Sequence, residues 1–221
     1  MIHFLVLQSS YTHLQLGLFS NQQLISTTQI DKTKASKECI LILQQLLDWQ
    51  KLTLSDLSFI AANQGPGPFT TLRVAISTVN GLGFATQLPL IGINGIEAFL
   101  DEYNHAEFSN TVVLLNAFGN DLYYGIQTAQ TITIGYNTVS LLLSELAQKI
   151  LDDPILFLGN GATLSKSLIT TTFANRACFL DPNPEFVSLL HIGRMAFERW
   201  NNQENLCSQI QPLYIKPAYT K

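Results

Sequence analysis

Leu57-Ser58-Phe59-Ile60-Ala61-Ala62-Asn63-Gln64-Gly65-Pro66-Gly67-Pro68-Phe69-Thr70-Thr71-Leu72-Arg73-Val74, continuing to Pro89, is the stretch that decides the fold. Its first part is a short apolar run of strand length. Gly65, Pro66, Gly67 and Pro68 then alternate and forbid regular structure. Thr70 and Thr71 offer helix N-caps, and an apolar segment of helical length follows until Pro89 stops it. Strand, stiff turn and helix make half of a βαβ unit.

Two physical readings of the turn compete. A glycine-rich turn that opens a helix can cradle an anion, because free N–H groups and the helix dipole point at it. Gly65, Gly67, Phe69, Thr70 and Arg73 are the residues of that candidate contact. Against it, two prolines remove N–H donors, and neither a Walker ending nor dinucleotide spacing is present. The other reading is a rigid connector that sets the angle of the helix. Arg73 has matching alternatives: a phosphate, a partner's carboxylate, or an ordinary solvated ion pair.

The helix after the turn places Ser77, Gly81 and Ala85 on one face, a small-residue row that lets another helix approach. Leu72, Ile76, Val79 and Phe84 point in other directions, and residues 74–96 carry no charge. Ser77, Thr78, Asn80, Thr86, Gln87 and Pro89 interrupt the run, so a membrane span is rejected. A second helix, expected over residues 36–50 with Ser36 as N-cap, is similar. One stripe is Ile40, Leu43 and Leu47; another is Cys39, Ile42, Leu46 and Trp49. Helices this widely apolar are buried on more than one side. Either both faces lie in the core, or one meets a partner. The partner reading assigns Cys39, Ile42, Leu46, Trp49, Ser77, Gly81 and Ala85 to the interface.

Composition sets the bounds. The chain has 221 residues, of which 47% are hydrophobic, so it can bury a sizeable core in one or two domains. Only 13% are charged, about half the usual ~25%. A net charge of −4 gives no electrostatic footprint for direct nucleic-acid binding. Cys39, Cys178 and Cys207 are widely spaced and read as free thiols in a reducing compartment. The opening Met1-Ile2-His3-Phe4 has no basic region before its apolar run, so a cytoplasmic location is expected.

Along the chain, strands are expected over residues 2–7, 14–18 and 24–30, followed by the helix 36–50 and the strand, turn and helix already described. A strand (90–93) and a short helix (95–100) complete the first half. Strands then follow over 111–115, 121–128 and 131–136, with a helix over 140–151 and a strand over 155–158. Gly159-Asn160-Gly161 turns into a helix, the last amphipathic helix covers 185–200, and an extended tail spans 212–217. Three strands, helix, strand, helix, twice over, is a duplicated ribonuclease-H-like plan: mixed sheets flanked by helices, in two lobes. The polar segment 101–110 suggests lobes at 1–108 and 109–221.

Residues 64–85 resemble the signature of the TsaB (YeaZ) family, R-G-P-G-S-F-T-G-L-R before a helix. Gly65, Pro66, Gly67, Phe69, Thr70, Leu72 and Arg73 match; Gln64, Pro68 and Thr71 depart. The same general pattern occurs in the related catalytic protein TsaD. The element order extends the resemblance, more weakly, over nearly the whole chain, and both families share the actin-like ASKHA fold of sugar kinases, heat-shock proteins and actin. The resemblance implies a non-catalytic subunit supporting transfer of a threonylcarbamoyl group to a tRNA adenosine by TsaD. It implies pairing with TsaD through first-lobe helices, a TsaE-like ATPase, and homodimers when no partner is present. ATP and magnesium are expected for the complex, and tRNA is met only through it.

No catalytic residue or metal ligand is assigned to this chain itself, and no cofactor. Where the superfamily usually carries an Asp for ATP and its metal, within a D-T-S run in TsaB relatives, this sequence has Gln8-Ser9-Ser10. A neutral amide cannot give magnesium a charged oxygen. TsaD-like proteins are expected to carry a His-x-x-x-His pair; His3, His13, His105 and His191 do not match it. The D-A-R-R-G-E-V-Y segment of TsaB relatives is Asn116-Ala117-Phe118-Gly119-Asn120-Asp121-Leu122-Tyr123. No nucleophile elbow is present, so the peptidase activity once attached to the family name finds no support. An ATP-dependent small-molecule kinase of the same superfamily is the alternative.

Overall fold

The computed structural model describes residues 1–104 and 107–216. His105 and the Pro217 end of the expected tail lie outside them. The chain forms two compact units: Met1–Gly95 with Ser188–Leu213, and Ile96–Val187 with the described residues from Tyr214 on.

In the first unit β1 (His3–Ser9), β2 (His13–Ser20) and β3 (Gln23–Asp31) form an antiparallel meander. Helix α1 (Ala35–Trp49) leads to β4 (Leu57–Asn63), parallel to β1. Helix α2 (Phe69–Thr86) leads to β5 (Leu90–Ile93), parallel to β4. The described sheet order is β11-β5-β4-β1-β2-β3, with β11 (Leu206–Cys207) antiparallel on the β5 edge. β1 is central, and Phe4 through Gln8 are all fully buried, so its side chains need cover on both faces.

Strand alternation sorts those side chains. Leu5 and Leu7, with Leu16, Leu18, Ile60 and Ala62, join the core that α1 and α2 close. Phe4 stacks on Phe19 and Phe59 at 4.9 and 4.3 Å. Helix α7 (Leu189–Asn202) covers this aromatic layer. Phe197 lies 6.1 Å from Phe4, and Trp200 stacks on Phe59 at 4.9 Å. Gly193 permits the approach: a Cβ there would collide with the Phe19 ring. The last helix therefore packs in the first unit, and the split differs from a linear one at 108/109. Chain order carries no information about which sheet a late helix covers.

In the second unit β6 (Asn110–Asn116), β7 (Asp121–Gln127) and β8 (Ile132–Thr138) form the meander. Helix α4 (Val139–Lys149) leads to β9 (Ile155–Leu158), parallel to β6. Helices α5 (Asn160–Leu164) and α6 (Lys166–Phe173) precede β10 (Ala177–Cys178), parallel to β9. The order β10-β9-β6-β7-β8 repeats β5-β4-β1-β2-β3, which is the duplicated ribonuclease-H-like plan. Helix α3 (Gly95–Glu102) lays Ile96 and Leu100 against Gly125 of β7, while α4, α5 and α6 close the opposite core. Among the described residues no helix is long and apolar enough to cross a membrane.

Candidate functional site

The signature turn connects β4 to α2. Gly65 has φ +98°, where a Cβ would be strained, and that Cβ would also meet Leu72 at 2.9 Å. The hydrogen-bonding groups of Gln64 and Gly65 are turned inward. Gly65 N–H donates to Asn63 Oδ1 (2.9 Å), and Gly95 N–H donates to the Gly65 carbonyl (2.8 Å). Gln64 N–H donates to the Ile93 carbonyl, and Leu213 N–H donates to the Gln64 carbonyl, both at 2.8 Å. Gln64 Nε2 donates to the Gln211 carbonyl (2.9 Å). These bonds make residues 64 and 65 a structural joint. Gln64, where the family motif has Arg, thus fastens the tail.

Helix α2 begins one residue earlier than Thr70, with Pro68 as N-cap in extended conformation and no side-chain cap. Thr70 and Thr71 are helical first-turn residues, which corrects their expected capping role. Lys34, not Ser36, precedes α1, likewise without a side-chain cap. Of the candidate anion contact, Gly65 is buried in the joint, while Phe69, Thr70 and Arg73 line a shallow groove of about 470 Å³. Ser36 of α1 and Val74, Ser77 and Thr78 of α2 complete it. The Arg73 guanidinium sits 3.7 Å over the Phe69 ring, a cation–π contact that orders both side chains. Gly67 is half-buried, with Ser9 Oγ as the neighbour an added Cβ would meet.

The outer faces of α1 and α2 separate the expected interface residues. Ser77, Gly81 and Ala85 all lie on the exposed side of α2. Phe84, beside them, is 82% exposed, and Trp49 at the end of α1 is 70% exposed. Cys39 and Leu46 are corrected: at 2% and 0% exposure they are core residues beside Leu43 and Leu47. Ile42 is half-buried against the same core. The exposed apolar residues of α1 are Ile40, Leu41 and Trp49. Both stripes of α1 are apolar, and helical periodicity alone does not say which one the sheet takes.

The family model TsaD, described as tRNA N6-adenosine threonylcarbamoyltransferase, matches residues 29–213. The chain belongs to this family. Its extended likeness is to the TsaB (YeaZ) members. The TsaB protein of Buchnera aphidicola subsp. Acyrthosiphon pisum is 22% identical over 152 residues, covering 67% of this chain and 69% of that one. The structure of YeaZ from Pseudomonas aeruginosa covers 97% of this chain and all of that one at 20% identity, with a TM-score of 0.68. A structure described as an uncharacterized protein with similarity to peptidase YeaZ from Pseudomonas aeruginosa covers 98% and 100%, at 19% identity and TM-score 0.74. The two structures attest the fold.

The positions that carry chemistry elsewhere in the superfamily hold different groups in this TsaB-like chain. Gln8 is fully buried on β1 and faces Gln15 of β2, with Nε2 donating to Oε1 at 3.5 Å. The hairpin beyond it is closed by Ser10, whose Oγ accepts from His13 N–H at 3.0 Å. These residues do not fit a magnesium–phosphate site, because an amide and two hydroxyls bring no negative charge. His3 and His13 sit at opposite ends of the β1–β2 ladder, and His191 is on α7. Among the described residues no three His, Cys, Asp or Glu side chains gather as a metal-binding group.

The segment 116–123 forms the β6–β7 turn. Phe118, Gly119 and Asn120 all have positive φ, near 60°. Asp121 is bridged to Lys216 at 2.7 Å, and both side chains are largely covered. Burial raises the pKa of Tyr123, while the nearby Lys216 ammonium opposes that shift. The Asp121–Lys216 pair is a role for Asp121 that the sequence alone does not show, because its partner lies in the distant tail. Burial also raises the pKa of the Cys39 thiol, against an opposing hydrogen bond with Thr78, so it remains a thiol near neutrality.

Proposed function

We propose that this chain is a TsaB-like subunit of the machinery that makes threonylcarbamoyladenosine in tRNA, with no catalytic activity of its own. The supporting observation is the uncovered outer face of α1 and α2. A row of Ser77, Gly81 and Ala85 lies bare to solvent with Phe84 beside it, and Ile40, Leu41 and Trp49 stand exposed on α1. A TsaD-like catalytic paralogue is the partner assigned to that face, through paired helices. The small row permits close backbone approach, and the large side chains supply apolar area. Each well-buried one contributes roughly 1.5–3 kcal/mol, so a few at the centre set the affinity. Phe69, Thr70 and Arg73 lie at the groove end of the same face and suit a partner carboxylate.

In this reading a TsaE-like ATPase supplies ATP and magnesium chemistry to the complex, tRNA is held by the assembly, and the location is cytoplasmic. With no paralogue present the same face forms homodimers. Gln8 weighs against the kinase alternative, since it puts a neutral amide where that chemistry needs a carboxylate. The test is depletion of this protein followed by mass spectrometry of tRNA nucleosides. Threonylcarbamoyladenosine should fall; an unchanged level would overturn the proposal.

A further inference from the structure

We propose that the second unit binds a free α-amino acid with an aliphatic side chain, in the cavity between the β7–β8 hairpin and α4. The cavity measures about 210 Å³. That is below the ~300–1,000 Å³ of pockets for drug-sized ligands, and it suits a molecule of amino-acid bulk. Its floor is aliphatic, made by Ile126, Leu142, Leu146 and Ile150. Its polar wall is made by Tyr124, Glu145 and Lys149.

Glu145 and Lys149 stand four residues apart with the acid first, the order that ordinarily forms an ion pair on a helix. They do not pair. Among the described residues neither side chain has a hydrogen-bond or ion-pair partner, and the same holds for the Tyr124 hydroxyl. An acid, an ammonium and a phenol therefore line one cavity with an aliphatic floor, Lys149 exposed and Glu145 and Tyr124 half-buried, and none of the three is paired among the described residues. A zwitterion answers all three: its ammonium meets Glu145, and its carboxylate meets Lys149 and the Tyr124 hydroxyl. An aliphatic side chain then covers the floor. A simple fatty acid would leave Glu145 facing a like charge, and a simple amine would do the same to Lys149. The rim is preformed at the turn, where Thr128 N–H donates to the Thr131 carbonyl (2.9 Å) and Thr131 N–H donates to Thr128 Oγ1 (3.2 Å).

The experiment is calorimetric titration of the full chain with L-leucine, L-leucinamide and 4-methylpentanoate. L-Leucine should bind. The amide lacks the carboxylate and the acid lacks the ammonium, so each should bind at least about tenfold more weakly, the loss of one charge-assisted contact. Glu145→Gln and Lys149→Met should weaken L-leucine by a similar factor, with circular dichroism confirming the fold. Absence of L-leucine binding would overturn the proposal, as would equal affinity for either analogue or unchanged affinity in both variants. The outcome is independent of the subunit role, which is read from tRNA nucleosides.

Discussion

Gly81→Leu acts with opposite signs on the isolated chain and on its pairing. A Cβ added at Gly81 meets nothing within 4 Å, so the side chain enters open solvent. Gly81 sits inside α2, where glycine is less favourable than a good helix former by about 0.8–1.0 kcal/mol. The variant should therefore be the more stable monomer, melting higher by roughly 2–4 °C for a chain of this size. At a helix–helix contact the same leucine forces the backbones apart. Overpacking of a close contact costs about 1–3 kcal/mol, which is roughly a 5- to 150-fold loss of affinity. Thermal melting by circular dichroism reads the first effect, and titration with the purified TsaD-like paralogue reads the second. Wild-type affinity in a variant that melts higher would show that α2 does not present this row to the partner.

Leu46→Ala and Trp49→Ala should separate the two sides of α1. The first should cost about 2–5 kcal/mol of stability in urea. The second should change stability by no more than ~0.5 kcal/mol while weakening pairing by ~2 kcal/mol or more; the reverse pattern would reject the assignment of faces. Gly193→Ala, whose methyl would collide with Phe19, should destabilise the chain by about 1–3 kcal/mol despite the better helix propensity; a neutral result in urea would mean α7 does not lie so close. The raised pKa of Cys39 predicts a pH dependence. Its share of stability is complete below the ordinary thiol pKa of the unfolded chain and is lost as pH rises through the higher folded value. Cys39→Ala should flatten the alkaline fall in urea midpoint, and an identical fall in the variant would count against it.

Much of the fold was legible because strand alternation and glycine–proline punctuation are local signals. The apolar run over residues 2–7 announced a strand, and the spacing of strands and helices announced the repeat. What escaped was non-local. The two-residue strands Ala177–Cys178 and Leu206–Cys207 are too short to show a period. The helix over residues 189–202 is plainly amphipathic, but the aromatic layer it needs belongs to strands far earlier in the chain. The inward face of α1 was undecided for a related reason, because Ile40 and Cys39 both head apolar stripes and only the sheet chooses between them. At the site, the neutral Gln8 and the row of small residues on α2 could be read directly, whereas the exposure of that row could not, because the pattern suits a core face as well as a partner face. The internal fastening of Gln64 and the pairing of Asp121 with Lys216 depend on a tail far away in sequence.

The aromatic layer beneath α7 has a consequence for biosynthesis. A ribosome makes Phe4, Phe19 and Phe59 more than a hundred residues before Phe197 and Trp200. Until then the nascent sheet has one sealed side and one sticky one, so the N-terminal half emerges needing shelter. Chains halted before residue 188 would keep that rings-outward surface permanently, which makes incomplete translation products natural clients for chaperones or proteases.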